Sequence, residues 1–333
     1  MPRKTFRKRI TSNKLTKKIN NKNIILLERF LKEKSQRSSE TTLKVYKSNL
    51  IMFFTWNLLH NENKFFIDIK KLEFSDFFSF AIEELQVGSS KINNMRSVLS
   101  SLSNFIEKFY DEDYPDFRNV ILKTIESVPK EVRREKTIFT DEQIDGLLLR
   151  LSENDKQQAC WVALAVTSGA RFSELLNFTV NLIDEERAVF NGLFLETTSK
   201  IKTKGRGKAG KMIHKYILKD KFLPYYNAWL TEREELLKKE GLEHDYLFTK
   251  INGEPATESV IRGWIEGFEK YLDVPFYAHA LRHYLTTLLV IQNIPASLIK
   301  ELFGWESVDM VDVYSDVTMK DMNYPELENL KNI

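Results

Sequence analysis

The sequence predicts a mostly α-helical protein of two domains, with a small β-hairpin or sheet in the second domain. Apolar residues recur at three- and four-residue intervals from Asn23 to about Tyr110, which predicts amphipathic helices there. A polar, charged stretch broken by Pro129 follows, and a second helical region begins after it. Two short segments rich in β-branched and aromatic residues interrupt this second region and predict strands.

The first helical region predicts a unit of four or five helices. The helical segments are residues 24–34, 38–56, 72–85 and 89–110. Basic side chains lie on their polar faces, namely Lys44, Lys47, Lys91 and Arg96. These side chains are candidate phosphate contacts, and the alternative is that they only keep the helices soluble.

We divide the chain at the charged stretch around Pro129. The predicted parts are a basic arm over residues 1–22, a first domain over 23–127, a linker over 128–137 and a second domain over 138–333. Thr140 begins the second domain as a predicted helix cap, because Gln143 follows at the spacing of a capping box.

Positive charge is concentrated in the arm. The net charge of the chain is only +3, yet residues 1–22 carry nine Lys/Arg residues and no acidic one. Such a segment suits a polyanion, since each phosphate that it neutralises releases counterions. We expect the arm to contact nucleic acid, and the alternative is a solvated tail.

A second basic segment joins the two predicted strands, which are residues 188–198 and 212–218. It contains three glycines, no acidic residue and six basic residues, namely Lys200, Lys202, Lys204, Arg206, Lys208 and Lys211. These charges repel one another, so a function is needed to explain them. We predict a hairpin whose basic tip lies against or inside a DNA groove.

Composition indicates the compartment. No apolar run approaches the length of a membrane span, and the N-terminus lacks the apolar segment of a secretory signal. Cys160 is the single cysteine and is flanked by apolar residues, so we expect a buried thiol and no intramolecular disulfide. We therefore expect a cytoplasmic protein without a membrane partner, associated with the nucleoid when it binds DNA.

Two arginines, a histidine and a tyrosine carry the candidate chemistry. His279 and Arg282 lie three residues apart in H-A-L-R-H and share one helix face. Arg171 has Glu174 at the same spacing, and Tyr314 lies in the last part of the chain. This set suits a phosphodiester. H-A-L-R-H also has the spacing of a zinc helix, but it lacks the adjacent Glu and a third ligand, so we expect no metal site.

These motifs resemble those of the tyrosine recombinases, including phage integrases. T-S-G-A-R-F-S-E-L-L resembles the family's first arginine box, H-A-L-R-H its H-x-x-R box, and F-G-W with Tyr314 nine residues later its final box. The order and spacing agree over roughly residues 23–325. The resemblance implies a helical core-binding domain, which binds DNA, and a mostly helical catalytic domain, closing on DNA as a C-shaped clamp.

The resemblance also implies the chemistry. Tyr314 would attack a backbone phosphate and form a 3′-phosphotyrosyl bond, which stores the energy for rejoining, so that no cofactor, ATP or metal is required. Arg171 and Arg282 would stabilise the transition state. His279 would transfer a proton or bind the phosphate, and Trp305 would occupy a position that is usually a second histidine.

The resemblance places the general acid on the basic hairpin. Lys204 matches one variant of the family and Lys202 another, and we favour Lys204. Glu174 is expected to orient its neighbours rather than to react.

The surroundings of Tyr314 leave two functions open. Four carboxylates lie within eight residues of it, namely Glu306, Asp309, Asp312 and Asp316. If they face the phenol they raise its pKa and repel phosphate; the alternatives are that they face solvent or pair across a subunit contact. Tyr284 also stands where the family often has a small hydroxyl residue.

The first function is a site-specific recombinase that binds double-stranded DNA as a dimer and pairs two sites in a tetramer. The second is a phage repressor that keeps the fold for operator binding and has lost cutting, as in regulators of transcription and lysogeny. The resemblance implies self-association on DNA through the tail after Tyr314, which would dock on a neighbouring protomer; the alternative is that the tail covers its own domain.

Overall fold

The computed structural model describes residues 8–129, 137–205, 209–272 and 274–314. The first residues of the basic arm, most of the predicted linker and the tail after Tyr314 lie outside this description. The chain forms two compact units, which meet in the sequence between Arg134 and Glu135. In the described ranges, no helix combines the length and the apolar character needed to cross a membrane.

The N-terminal unit is helical. Its helices are α1 (Asn13–Thr16), α2 (Asn21–Lys34), α3 (Glu40–His60), α4 (Lys71–Glu83), α5 (Ser89–Phe109) and α6 (Ile121–Thr124). The four long helices correspond to the four predicted segments, which confirms the helical reading of this region.

An aromatic cluster holds this unit together. The ring centre of Phe53 on α3 lies 5.5 Å from that of Phe74 and 4.9 Å from that of Phe77, both on α4. Phe30 on α2 packs edge-on against Phe105 on α5, with centres 5.6 Å apart. Each buried ring contributes about 2 kcal/mol through the hydrophobic effect, so these contacts fix the helices to one another.

The C-terminal unit combines helices and short strands. The helices are α7 (Asp141–Asn154), α8 (Lys156–Ser168), α9 (Phe172–Leu175), α10 (Lys219–Glu240), α11 (Glu258–Phe268), α12 (Ala278–Ile291), α13 (Ala296–Phe303) and α14 (Asp309–Tyr314). The strands are β1 (Ala188–Val189), β2 (Phe194–Glu196), β3 (Ile201–Thr203), β4 (Lys211–Ile213) and β5 (Tyr216–Leu218). Thr140 caps α7 and exchanges both capping-box hydrogen bonds with Gln143, as predicted.

The strands form two small antiparallel sheets. One has the order β1-β2-β5, and the other pairs β3 with β4 so that Thr203 lies opposite Lys211. The two predicted strand segments are each divided. Phe190 and Asn191 adopt positive φ angles of 53° and 56° and turn the chain between β1 and β2. The basic segment supplies β3 and begins β4, so its loop is shorter than the sequence suggested.

Helix α8 is the centre of this unit. It is buried nearly all round, with Cys160 and Trp161 fully enclosed, and it packs against α7, α10 and α12. A helix that is apolar on every side belongs inside a domain. The single cysteine is thus a buried thiol, as expected, and burial raises its pKa.

Glycines close two of the helices. Helix α8 ends at Gly169 and α13 ends at Gly304, both with left-handed φ angles, 54° and 64°. A side chain at Gly169 would overlap the buried ring of Phe303, so the turn after α8 and the end of α13 are in direct contact.

We expect Gly169→Ala to destabilise the C-terminal unit by roughly 2 kcal/mol or more, because alanine disfavours the left-handed conformation and its methyl group would displace Phe303. Urea unfolding of the full chain measures this. Gly146→Ala is the matched control, since Gly146 lies inside α7 with open space beside it. That substitution should leave the stability equal or higher, by up to about 1 kcal/mol. Equal stability of the two variants would contradict the contact.

Candidate active site

Arg171 lies at the sharp turn that follows α8. Gly169 adopts a left-handed conformation, and two residues later Arg171 is the N-cap of α9. Glu174 accepts the backbone N–H of Arg171 through Oε2 at 2.9 Å, and it accepts Nη1 of the Arg171 side chain through Oε1 at 2.9 Å. The three-residue spacing in the sequence therefore joins this guanidinium to this carboxylate.

Glu174 is buried and has two further partners. Lys215 Nζ lies 2.7 Å from Oε2, and the hydroxyl of Thr203 donates to Oε1 while accepting Arg171 Nη1 at 2.7 Å. Burial by itself would raise the pKa of Glu174, but the charge and hydrogen bond of Lys215 outweigh it, with help from Thr203 and the Arg171 backbone, and lower the pKa to about 2. The carboxylate is thus ionised at neutral pH.

Arg282 reaches the same turn from α12. Its side chain is 1% exposed, and Nη1 donates to the carbonyl of Gly169. The guanidinium carbon lies 4.7 Å from the ring centre of Phe303 and 5.0 Å from that of Trp305. The Gly169 turn therefore brings the two arginines of the sequence motifs to one place, and aromatic rings support the second of them.

Trp305 follows the left-handed Gly304 at the end of α13. It is buried, and its ring stacks on that of Phe303 with centres 4.7 Å apart and planes 13° apart. Trp305 therefore forms part of the wall against which Arg282 packs. The expectation that Trp305 replaces a second histidine stays a prediction, and the structure places its ring beside Arg282.

His279 lies one helical turn before Arg282 on α12, and its side chain is exposed. Loss of hydration lowers the pKa of His279, and the positive charges of Arg282, His283 and Arg171 lower it further, to about 4, against the opposing charge of Glu174. The imidazole is therefore neutral at pH 7. His279 thus lies one helical turn before the arginine that contacts the Gly169 turn, and that turn leads to Arg171.

Tyr314 is the last residue of α14, and its side chain lies outside what the structure describes. The helix is anchored by Val311, which is 4% exposed among apolar residues of α12 and α13. Glu306, Asp309 and Asp312 are exposed, and Asp309 accepts the hydroxyl of Ser307 at 2.9 Å. The three described carboxylates are thus accessible from solvent in the single chain, and Asp316 is outside the described residues.

Tyr284 has a structural role. It is buried, and its hydroxyl donates to Asp141 Oδ1 at 2.5 Å, which connects α12 to the start of α7. Its size relative to a small hydroxyl residue is therefore explained by packing between helices, away from the arginine cluster.

The candidate general acids lie on the hairpin. Lys202 and Lys204 are both exposed, whereas Thr203 between them points inward and is 4% exposed. Lys200 and Lys211 are exposed as well, and Lys211 Nζ lies 3.4 Å from the carbonyl of Gly304. Arg206 and Lys208 lie outside the described residues.

The candidate phosphate contacts of the N-terminal unit differ from one another. Lys44 and Lys47 are exposed on α3. Lys91 donates to Asn49, and Arg96 donates through Nη2 to the carbonyl of Leu122 at 3.0 Å and through Nε to that of Ile125. Arg96 therefore holds α6 against α5, which leaves Lys44 and Lys47 as the more available basic groups.

Lys215 is the residue that the sequence analysis missed. It is 0% exposed and lies at the junction of β4 and β5. A signal was present: Ile213, Lys215 and Ile217 alternate along one strand direction, so all three belong on the same face. A lysine in line with two isoleucines is unexpected and marks a buried charge. Among the described residues, no group of three or more His, Cys, Asp or Glu is suited to a metal ion.

Comparison with known proteins identifies the family. The family model described as the phage integrase family matches residues 137–321, more than half of the chain. The chain therefore belongs to the phage integrase family, and the resemblance seen in its motifs is confirmed.

Individual proteins agree with this assignment. The tyrosine recombinase XerC of Staphylococcus epidermidis is 24% identical over 292 residues, which cover 84% of this chain and 88% of that protein. The crystal structure of the XerH site-specific recombinase bound to its difH substrate is similar with a TM-score of 0.64 and 17% identity, covering 93% of this chain and 95% of that one. A lambda integrase tetramer bound to a Holliday junction gives a TM-score of 0.63 and 17% identity, covering 87% and 76%. The shared fold confirms the predicted mostly helical architecture.

We expect His279 to titrate well below the ordinary histidine pKa of about 6.5, because partial loss of hydration and the positive charges of Arg282 and Arg171 disfavour its charged form. NMR titration of the imidazole protons in the DNA-free protein measures the midpoint, and His279→Gln assigns the signal. Binding of an anion beside the ring should raise the midpoint. A midpoint at or above about 6.5 in the free protein would contradict the arrangement.

Proposed function

We propose that this protein is a site-specific DNA recombinase, which cleaves and rejoins strands through a covalent 3′-phosphotyrosyl intermediate. The observation that carries this proposal is that Arg282 contacts the Gly169 turn, which leads to Arg171, while His279 lies one helical turn before Arg282. Membership of the phage integrase family and similarity to recombinases over most of the chain support it.

The arginines suit the phosphate chemistry. A phosphodiester carries one negative charge, and attack on phosphorus adds a second as the pentacoordinate transition state forms. The planar N–H groups of a guanidinium match the non-bridging oxygens in geometry and charge. Arg171 is partly exposed at 20%, so a phosphate can approach it from solvent.

In the proposed reaction the phenolate oxygen of Tyr314 attacks phosphorus, and the bond from phosphorus to the 5′ oxygen breaks. The leaving oxygen takes a proton from a hairpin lysine, Lys204 or Lys202, and becomes a free 5′-hydroxyl. Rejoining reverses these steps when a 5′-hydroxyl attacks the phosphotyrosine. Each step exchanges one phosphate ester for another, so the chemistry requires no ATP, cofactor or metal.

The neutral imidazole of His279 fits a role at the phosphate. It can donate one hydrogen bond to a non-bridging oxygen, or accept the phenolic proton of Tyr314 as attack begins. Because the pKa of His279 is low in the free protein, its imidazole accepts a proton only when a negative charge lies beside the ring. Trp305 contributes by packing against Arg282.

The two units have separate roles in DNA binding. We propose that residues 23–127 form a core-binding domain that uses Lys44 and Lys47, while residues 138–333 hold the reacting phosphate. The basic arm over 1–22 and the hairpin would add phosphate contacts, and the two domains would close on DNA as a clamp. We further propose that the protein assembles into dimers and tetramers on DNA and that the tail after Tyr314 carries the contact. The tetrameric lambda integrase complex, which has a similar fold, supports the assembly.

The alternative of a repressor that has lost cutting has no feature in its favour. Each relative and structure reported above is named a recombinase or an integrase. The acidic residues that raised this alternative are exposed where the structure describes them, and Tyr284 is engaged with Asp141. Cutting can still be tested directly.

We expect a suicide duplex, nicked near the cleavage position, to trap a covalent protein–DNA adduct that survives denaturing electrophoresis. Tyr314→Phe should abolish the adduct and change the Kd for DNA by less than about threefold, since it removes only the nucleophilic oxygen. Tyr246→Phe is the matched control, because Tyr246 is an exposed tyrosine of the same unit. If wild type binds the duplex and forms no adduct, cutting is excluded and the repressor function replaces it.

We expect Lys200→Gln/Lys202→Gln to weaken DNA binding and to flatten its salt dependence. Each phosphate contact contributes about 0.9 to the slope of log K against log salt, so loss of two should reduce the slope by about 1.8. Lys238→Gln/Lys239→Gln is matched in charge and lies at the exposed end of α10, so its slope should remain that of wild type. A hairpin variant with an unchanged slope would remove these two lysines from the interface.

A further inference from the structure

Lys215 is a buried charge that the proposed chemistry does not yet use. It and Glu174 are 0% and 1% exposed in their side chains, and they form an ion pair at 2.7 Å. Burial lowers the pKa of Lys215, the charges of Arg282 and Arg171 lower it further, and Glu174 opposes them, which leaves it at about 8. A buried ion pair seldom stabilises a fold more than apolar residues of the same size would. Stability alone therefore does not explain a lysine between Ile213 and Ile217.

The contacts of Glu174 show what Lys215 changes. Lys215 and the Arg171 backbone N–H occupy Oε2, whereas Oε1 receives Nη1 of Arg171 and the hydroxyl of Thr203. The Arg171 side chain thus meets the carboxylate through one nitrogen only. An arginine beside a carboxylate otherwise tends to form a two-pronged pair. Lys215 occupies the oxygen that the second prong would take.

The other edge of Arg171 remains available as a result. Within the described residues, neither Nε nor Nη2 of Arg171 has a hydrogen-bond partner, and the side chain keeps its partial exposure. These are the atoms with which a guanidinium grips two phosphate oxygens. The arrangement around Glu174 thus orients Arg171 and leaves its second edge for an anion.

Lys215 also sets the charge of the site. Arg171, Arg282 and Lys215 are three cations around one carboxylate, so the cluster carries two net positive charges. These two positive charges match in number the two negative charges of the pentacoordinate transition state, and without Lys215 only one net positive charge would remain. The lysine therefore favours the transition state more than the singly charged substrate.

We propose that Lys215 is a positioning residue for strand cleavage: it holds one oxygen of Glu174, prevents two-pronged pairing of Glu174 with Arg171, and so keeps Arg171 free for the scissile phosphate. This role rests on the proposed function, since it requires that the site cuts DNA. Lys215 itself is enclosed and does not touch the substrate.

The test compares Lys215→Met with Lys215→Met/Glu174→Gln in the full chain, using the suicide duplex. In the single variant Glu174 keeps its charge and can pair with two nitrogens of Arg171. Adduct formation should therefore slow by about 100-fold. The Kd for the duplex should change by less than about threefold, because many other contacts bind DNA. In the double variant the neutral amide releases Arg171, and the cleavage rate should recover by at least about tenfold relative to the single variant.

The outcomes separate the two proposals. If wild type forms no adduct, the proposed function fails and the role of Lys215 fails with it. If wild type forms the adduct and Lys215→Met does so at the same rate, only the role of Lys215 is overturned. A double variant as slow as the single one, or slower, also overturns it, since loss of the carboxylate should relieve Arg171. Thermal unfolding of each variant detects misfolding. The double variant is less exposed to misfolding than the single one, because it leaves no carboxylate buried without its cation.

Discussion

The arginine site of the C-terminal unit depends on one carboxylate. Glu174 is surrounded by cationic side chains. Like charges repel strongly in a medium of low polarity, so these cations need a buried negative charge among them. Arg171, Thr203 and a backbone N–H donate hydrogen bonds to its two oxygens, and Lys215 forms an ion pair with one of them. The same bonds connect the turn after α8 with the ends of β3 and β4, which lie far apart in the sequence. The ion pairs that neutralise Glu174 therefore also hold these segments of the chain together.

A second constraint is steric and acts through glycine. Arg282 donates to the carbonyl of Gly169 and packs on Phe303, while Phe303 fills the space that a side chain at Gly169 would need. The end of α13 is fixed at the arginine site by this fit. Trp305 stacks on Phe303 from the following residue, and α14 begins a few residues later. The position of the helix that carries Tyr314 is thus linked, through packed rings, to the arginine that would hold the phosphate.

The sequence predicted the helices well because their apolar spacing is strong and local. The long helices of the N-terminal unit and the capping box at Thr140 follow from residues within a few positions of one another. The sequence also indicated that Arg171, His279 and Arg282 would meet, but only through the resemblance of ordered motifs, since nothing local joins α8 to α12. Lys215 was missed because the alternation of side chains along a strand predicts the face on which a residue lies, but not the residue that it contacts. That partner, Glu174, is 41 residues away, and only the three-dimensional fold places it under the strand.

The acidic residues before Tyr314 are exposed, while the charges suited to phosphate include buried ones. Glu306, Asp309 and Asp312 are in contact with water, where their effect on a neighbouring group is screened over roughly 8 Å at physiological salt. Arg171, Arg282 and Lys215 act across a buried environment in which screening is weak, and they retain two net positive charges. A protein that only recognised an operator would need exposed cations along the DNA backbone. It would have no need to enclose a lysine and a glutamate beneath two arginines, at the cost of desolvating both. The buried charges of the site are therefore better explained by stabilisation of a transition state than by binding of an intact duplex.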